Sequence, residues 1–164
     1  MSVGSQIRSD HQLARLLQIG VVLEEVVEAR AVTHYRELLA DRQGSEELAE
    51  LLEGAAEESA THREKLEALI DQLDAESIPF EEIELLVEER YGRTKPEDFD
   101  DVLYDQLASE ETAYKFYDDL LTAIDESDAR YSIDRDELIE TLAWIREEEA
   151  EGVEEVTELM EKRA

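Results

Sequence analysis

Ala75-Glu-Ser-Ile-Pro79-Phe-Glu-Glu-Ile-Glu-Leu-Leu-Val-Glu-Glu-Arg90-Tyr-Gly92-Arg-Thr-Lys95-Pro96 is the one long break in a chain that otherwise reads as successive helices. Both prolines of the chain, Pro79 and Pro96, fall here, with Gly92 between them. Proline lacks a backbone donor and fixes φ, so each marks a helix boundary. Ile83, Leu86 and Val87 keep helical spacing inside the break, which predicts a short helix from Phe80 to about Arg90.

Long helical patterns extend on either side. Ser9 stands three residues before Gln12, a capping signature, and opens a helix over about 9–43. Gly44 and Ser45 make a tight turn into a second helix over about 45–74. Beyond the break, Pro96 precedes a third helix over about 97–127, and a fourth spans about 133–162. No segment alternates with the period of two that marks a strand. The expected fold is therefore all-α: one four-helix bundle domain over 1–164, with a long crossover over 75–95 between helices two and three.

Composition narrows the function classes. The chain has 46 Asp and Glu against 16 Lys and Arg, a formal charge of −30, so phosphate backbones and anionic membrane surfaces repel it. With 42% hydrophobic residues it is too apolar for a solvated acidic tail. There is no cysteine, which removes disulfides, thiolate metal sites and cysteine nucleophiles. Met1-Ser-Val-Gly-Ser-Gln-Ile-Arg8 has no apolar core of a signal peptide, and Leu16–Val27 is too short and too interrupted to span a bilayer. A cytoplasmic protein is the expectation. Only four basic residues are lysines (Lys65, Lys95, Lys115, Lys162), an acid-rich, lysine-poor balance that resembles proteins of salt-loving archaea.

Polar residues interrupt each apolar stripe in mid-helix. Burying a carboxylate without a partner costs several kcal/mol, so such residues need a reason to be there. Glu28 sits among Leu17, Val21, Val32 and Tyr35; Ser59 and His62 among Leu52, Ala55 and Leu66; Glu110 among Leu107, Tyr114 and Tyr117; Glu149 among Ile145 and Val153. The first and third helices also repeat a pattern. Glu28-Ala-Arg-Ala-Val-Thr-His-Tyr35 with Leu38-Leu39 aligns with Glu110-Glu-Thr-Ala-Tyr-Lys-Phe-Tyr117 with Leu120-Leu121. Counting from the turns at 1.5 Å per residue, the four polar positions fall at one level, ~23–25 Å along each helix.

On these residues the chain resembles the ferritin-like superfamily, closest to its rubrerythrin-type branch. That family takes one Glu from each of the first and third helices and a Glu-x-x-His from each of the second and fourth, to hold two iron or manganese ions. Glu28 and Glu110, each followed seven residues later by Tyr35 or Tyr117, match the single-Glu helices. Ser59-x-x-His62 keeps the His and lacks the Glu, whereas Glu149-x-x-Gly152 keeps the Glu and lacks the His. The resemblance thus implies a single Fe or Mn ion, with Zn also acceptable, on Glu28, His62 and Glu149. Glu110 would be a weaker ligand, with Tyr35, Tyr117 and Ser59 placed behind the ligands.

Two functional readings stay open at this point. One is a metal-binding protein, for which the resemblance implies iron handling or peroxide chemistry. The other is a bundle that has lost its metal, has no cofactor and serves as a structural or protein-interaction module. Whether the chain is an enzyme is left open by the residues. The first helix is apolar round a wide arc (Leu16, Leu17, Ile19, Val22, Leu23, Val26), which a homodimer or the crossover helix would cover. Gly20, Gly54 and Gly152 each cost a helix about 1 kcal/mol relative to Ala, and close packing or a lost side chain accounts for them.

Overall fold

A computed structural model of the chain describes residues 7–41, 46–75 and 99–163. They form α1 (Asp10–Asp41), α2 (Glu46–Asp71), α3 (Phe99–Glu126) and α4 (Arg135–Arg163), with no strand among the described residues. The ends at Asp10, Asp71, Glu126 and Arg135 lie within one to three residues of the sequence expectation, the usual fraying distance. The expected short helix from Phe80 to about Arg90 lies outside the described residues.

Local chemistry starts and stops these helices. The Gln12 N–H donates to Ser9 Oγ at 3.2 Å, while Gln12 Oε1 accepts from the Arg8 N–H at 2.6 Å, a reciprocal cap on α1. The guanidinium of Arg135, at the start of α4, donates to the Ser127 carbonyl at 3.0 Å and to that of Ile124, serving acceptors left open at the end of α3.

Contacts at one end set the helix directions. Ser127 Oγ and Tyr131 OH, just past α3, donate to the Ile7 carbonyl just before α1, at 2.7 and 2.9 Å. The Asp74 N–H, just past α2, donates to Asp10 Oδ2 at 2.9 Å. Gln72 reaches Glu137 near the start of α4. The start of α1 thus lies with the ends of α2 and α3, so α2 ends and α3 begins at opposite ends of the bundle. α1 packs on α2 and α3, and α4 on those same two helices, which leaves α1 diagonal to α4.

Two apolar clusters fill the interior. The larger one joins Leu13, Leu17 and Val21 of α1 to Leu66, Leu120, Ile124, Leu138 and Leu142. The smaller one joins Ala31, Leu48, Leu52, Leu103 and Val156 near the other end. Each fully buried Leu stabilises the bundle by roughly 1.5–3 kcal/mol relative to exposure. Between the clusters every helix places polar side chains in the core: Glu24, Ser59 and His62, Gln106 and Glu110, and Glu149. That layer is the candidate site. No described helix is long and apolar enough to cross a membrane.

Candidate metal centre

His62 is the hub of the polar layer. Its Nδ1 lies 3.3 Å from Glu24 Oε1 and 3.1 Å from Glu149 Oε1. Its Nε2 lies 2.8 Å from Glu148 Oε1. Tyr117 OH donates to Glu24 Oε1 at 2.8 Å. Gln106 Nε2 donates to Glu110 Oε1 at 2.9 Å, and Glu110 is in turn hydrogen-bonded to Glu149. Glu24 and His62 are each only 1% exposed. The single tryptophan, Trp144, meets the His62 ring edge-on at 5.7 Å between centroids, and Lys65 Nζ lies 5.2 Å above the Trp144 ring.

The charges resist burial. Desolvation pushes the Glu149 carboxyl well above its ordinary range, and the charges of Glu24 and Glu110 add to the push. Glu110 is raised as well, chiefly by burial, although hydrogen bonds from Glu149 and Gln106 hold it down. Glu58, half-buried beside Glu148 and Glu110, is pushed up to about 7 by desolvation and their charge. At His62 burial works against the charged form, yet hydrogen bonds and charge from Glu24 and Glu148 prevail and raise its pKa. The layer therefore calls for positive charge, which protons or a cation can supply.

The donor set fits a cation. One ligand atom each from Glu24, His62 and Glu149 lies within 4.8 Å of the others. Imidazole and carboxylate ligands about 2.0–2.2 Å from an ion stand roughly 2.8–3.6 Å apart at tetrahedral or adjacent octahedral positions. The two Nδ1 distances, 3.1 and 3.3 Å, fall in that interval. Glu148 on Nε2 fixes the ring and leaves the Nδ1 lone pair for the centre, the carboxylate–histidine arrangement usual behind metal-binding imidazoles. Glu24 Oε2 is a buried acceptor without a hydrogen-bond partner, an unmet demand that an ion would satisfy.

The expected residues are brought together in part. His62, Glu110 and Glu149 share the layer, and Ser59 is buried one turn from His62. Glu28 is corrected. It lies half-buried one turn beyond Glu24, where Arg63 NH1 pairs with its Oε2 at 2.6 Å. Glu24 takes the α1 place in the layer instead. Of the two tyrosines, Tyr117 is fully buried and hydrogen-bonded to Glu24, whereas Tyr35 packs partly buried on the smaller apolar cluster.

Gly152 has a steric role. A Cβ there would stand 2.6 Å from Glu110 Oε2, so the Glu110 carboxylate occupies the space a side chain at 152 would need. Gly152→Ala is expected to fold with a stability within about 1 kcal/mol of wild type, because helix propensity offsets a displaced hydrogen bond. Its Glu110 carboxylate should swing away from Glu149, checked by comparing crystal structures of the two proteins.

A second buried network went unread in the sequence. Asp105 accepts from Arg30 NH1 at 2.6 Å and stands 3.0 Å from His34 Nε2, tying α1 to α3. The spacing within α1 does not show this, because the partner of His34 lies in another helix.

These features define an all-α four-helix bundle with a buried His–Glu–Glu group capable of holding a metal ion. No protein-family model, curated protein or solved structure matches the chain.

Proposed function

We propose that the chain is a ferritin-like metal-binding protein holding one Fe or Mn ion, with Zn as an acceptable substitute, on Glu24, His62 and Glu149. The observation that carries the reading is the convergence of these three groups from three helices in a core that excludes water. A single ion is favoured over two because the Glu110 carboxylate lies against Gly152, where the resembling family has a histidine. A bound Fe or Mn ion supplies one-electron chemistry, consistent with iron handling or peroxide removal. The chain's own groups have separate tasks. Glu148 orients His62, Tyr117 holds Glu24, and Glu110 accepts the proton of Glu149 or steadies its carboxylate.

A metal-free structural or interaction module is the second reading. It is favoured by the hydrogen bonds of Glu149 to Glu24 and Glu110, which let protons alone close the centre. Loading with Fe(II) or Mn(II) under nitrogen, then stripping surface ions in molar salt, separates the two. About one equivalent per chain supports the metal reading, and less than about a tenth leaves the second. Glu24→Gln should lower the bound equivalent at least about tenfold, as loss of a charged ligand does. Glu28→Gln, which breaks only a half-exposed ion pair, should leave it unchanged and cost less than about 1 kcal/mol.

A further inference from the structure

The candidate centre is enclosed by four helices, so an ion needs a path to it. We infer that cations reach it between α2 and α4, along an acidic groove that ends on Glu110; this rests on the metal reading above. Two cavities follow one another there and share Glu50, Leu51 and Glu155. The outer one, about 300 Å³, is flanked by Glu47 and Glu158. The inner one, about 200 Å³, is lined by Gly54, Glu58, Gly152 and Glu110.

The passage depends on two missing side chains. A Cβ at Gly54 would meet nothing within 4 Å, and Gly152 leaves room for the Glu110 carboxylate. Glu110, 5% exposed, is the floor of the inner cavity and is hydrogen-bonded to Glu149 of the ligand group. Beyond it stands Glu24, whose Oε2 has no hydrogen-bond partner, an acceptor on which a cation's journey can end. Carboxylates thus continue from the mouth to the centre, so a cation can exchange its waters for oxygens in steps. The one lysine at the mouth, Lys162, lies 3.6 Å from Glu47, which offsets its charge. Among the described residues, Arg63 sits on Glu28 between α1 and α2, and farther along the α2–α4 face Lys65 and Trp144 stand beside His62.

Uptake of Co(II) by the full chain tests the path. Trp144 is the only tryptophan and touches His62, so Co(II) arriving at the centre quenches its fluorescence in a stopped-flow trace. Gly54→Leu adds a side chain into open space. It is expected to slow loading about tenfold or more by filling the passage, with the final Co(II) count unchanged after molar-salt washing. Glu50→Gln with Glu155→Gln is expected to slow loading about threefold or more at low salt and to weaken its salt dependence. Circular dichroism checks that each variant folds, and the double Gln variant, altered where the two cavities meet, decides alone if Gly54→Leu does not. Loading at the wild-type rate in the folded Gly54→Leu protein, with a full equivalent bound, overturns the path and leaves the metal reading intact. Failure of the wild-type chain to retain Co(II) removes the metal reading and the path with it.

Discussion

Replacing His62 with alanine is expected to be among the most damaging single changes in the chain. The ring is 1% exposed and meets Glu24, Glu149 and Glu148 at 3.3, 3.1 and 2.8 Å. Its removal leaves those carboxylates facing a void without their cationic or donor partner. Breaking a buried charged network from one side costs about 3–5 kcal/mol. In a chain of this size that is a fall in Tm of roughly 6–20 °C. The bound ion should fall from about one equivalent to less than a tenth, since no other nitrogen ligand belongs to the group. His62→Gln, which keeps most of the volume and one hydrogen bond, should recover part of the Tm and none of the ion. Thermal unfolding in chelator and a metal count on the same samples check both outcomes. A His62→Ala protein that keeps its full equivalent would rule out the proposed centre.

The second large effect is on pH. Glu149 and Glu110 hold their protons above the ordinary carboxylate range of 4.5 in the folded state. A group of that kind contributes stability fully below its unfolded pKa and loses it as pH rises toward the folded one. Glu58, pushed up to about 7, loses its contribution between 4.5 and about 7. His62, raised by its carboxylates, stabilises below its ordinary 6.5 and ceases to do so as pH passes its folded value. All four act in one direction. The metal-free protein is therefore expected to be most stable in mild acid, with Tm falling by roughly 5–10 °C between about pH 5 and 8, equivalent to a few kcal/mol.

The surface charge of −30 pushes the same way, because its repulsion grows as carboxylates ionise. Measuring in about 1 M KCl, where the Debye length is near 3 Å, removes most of that part and leaves the buried one. Glu149→Gln should then flatten the profile. A bound ion replaces the protons, so the extra Tm it confers should rise with pH across the same window. A metal-free Tm that climbs from pH 5 to 8 in molar salt would contradict the carboxyl cluster.

How much of this was legible depended on the helix. In α2 and α4 the apolar stripe is narrow, so Ser59, His62 and Glu149 stand out as polar residues on a buried face. α3 is similar: Glu110 interrupts a clear stripe that includes Tyr117. α1 behaves differently because Leu16–Val27 is apolar almost all round, and its periodicity cannot choose among Glu24, Glu25 and Glu28. The repeat with α3 pointed to Glu28 through Tyr35. Gly20 lets α1 sit close, with its would-be Cβ 3.2 Å from both Leu66 and Phe116, and Arg63 from α2 takes Glu28.

The amino-acid sequence by itself determined an all-α chain, where its long helices begin and end, and that its polar interruptions gather near mid-bundle. It also determined an overall charge of −30. These are properties of one segment at a time: a cap, a proline, a period of 3.6, a sum of charges. Tertiary structure alone decided that Glu24 meets His62 and Glu149, that Tyr117 reaches across to α1, and that Gly152 makes room for Glu110. Which carboxylate loses its water depends on what the neighbouring helices place opposite it, and no single helix carries that information.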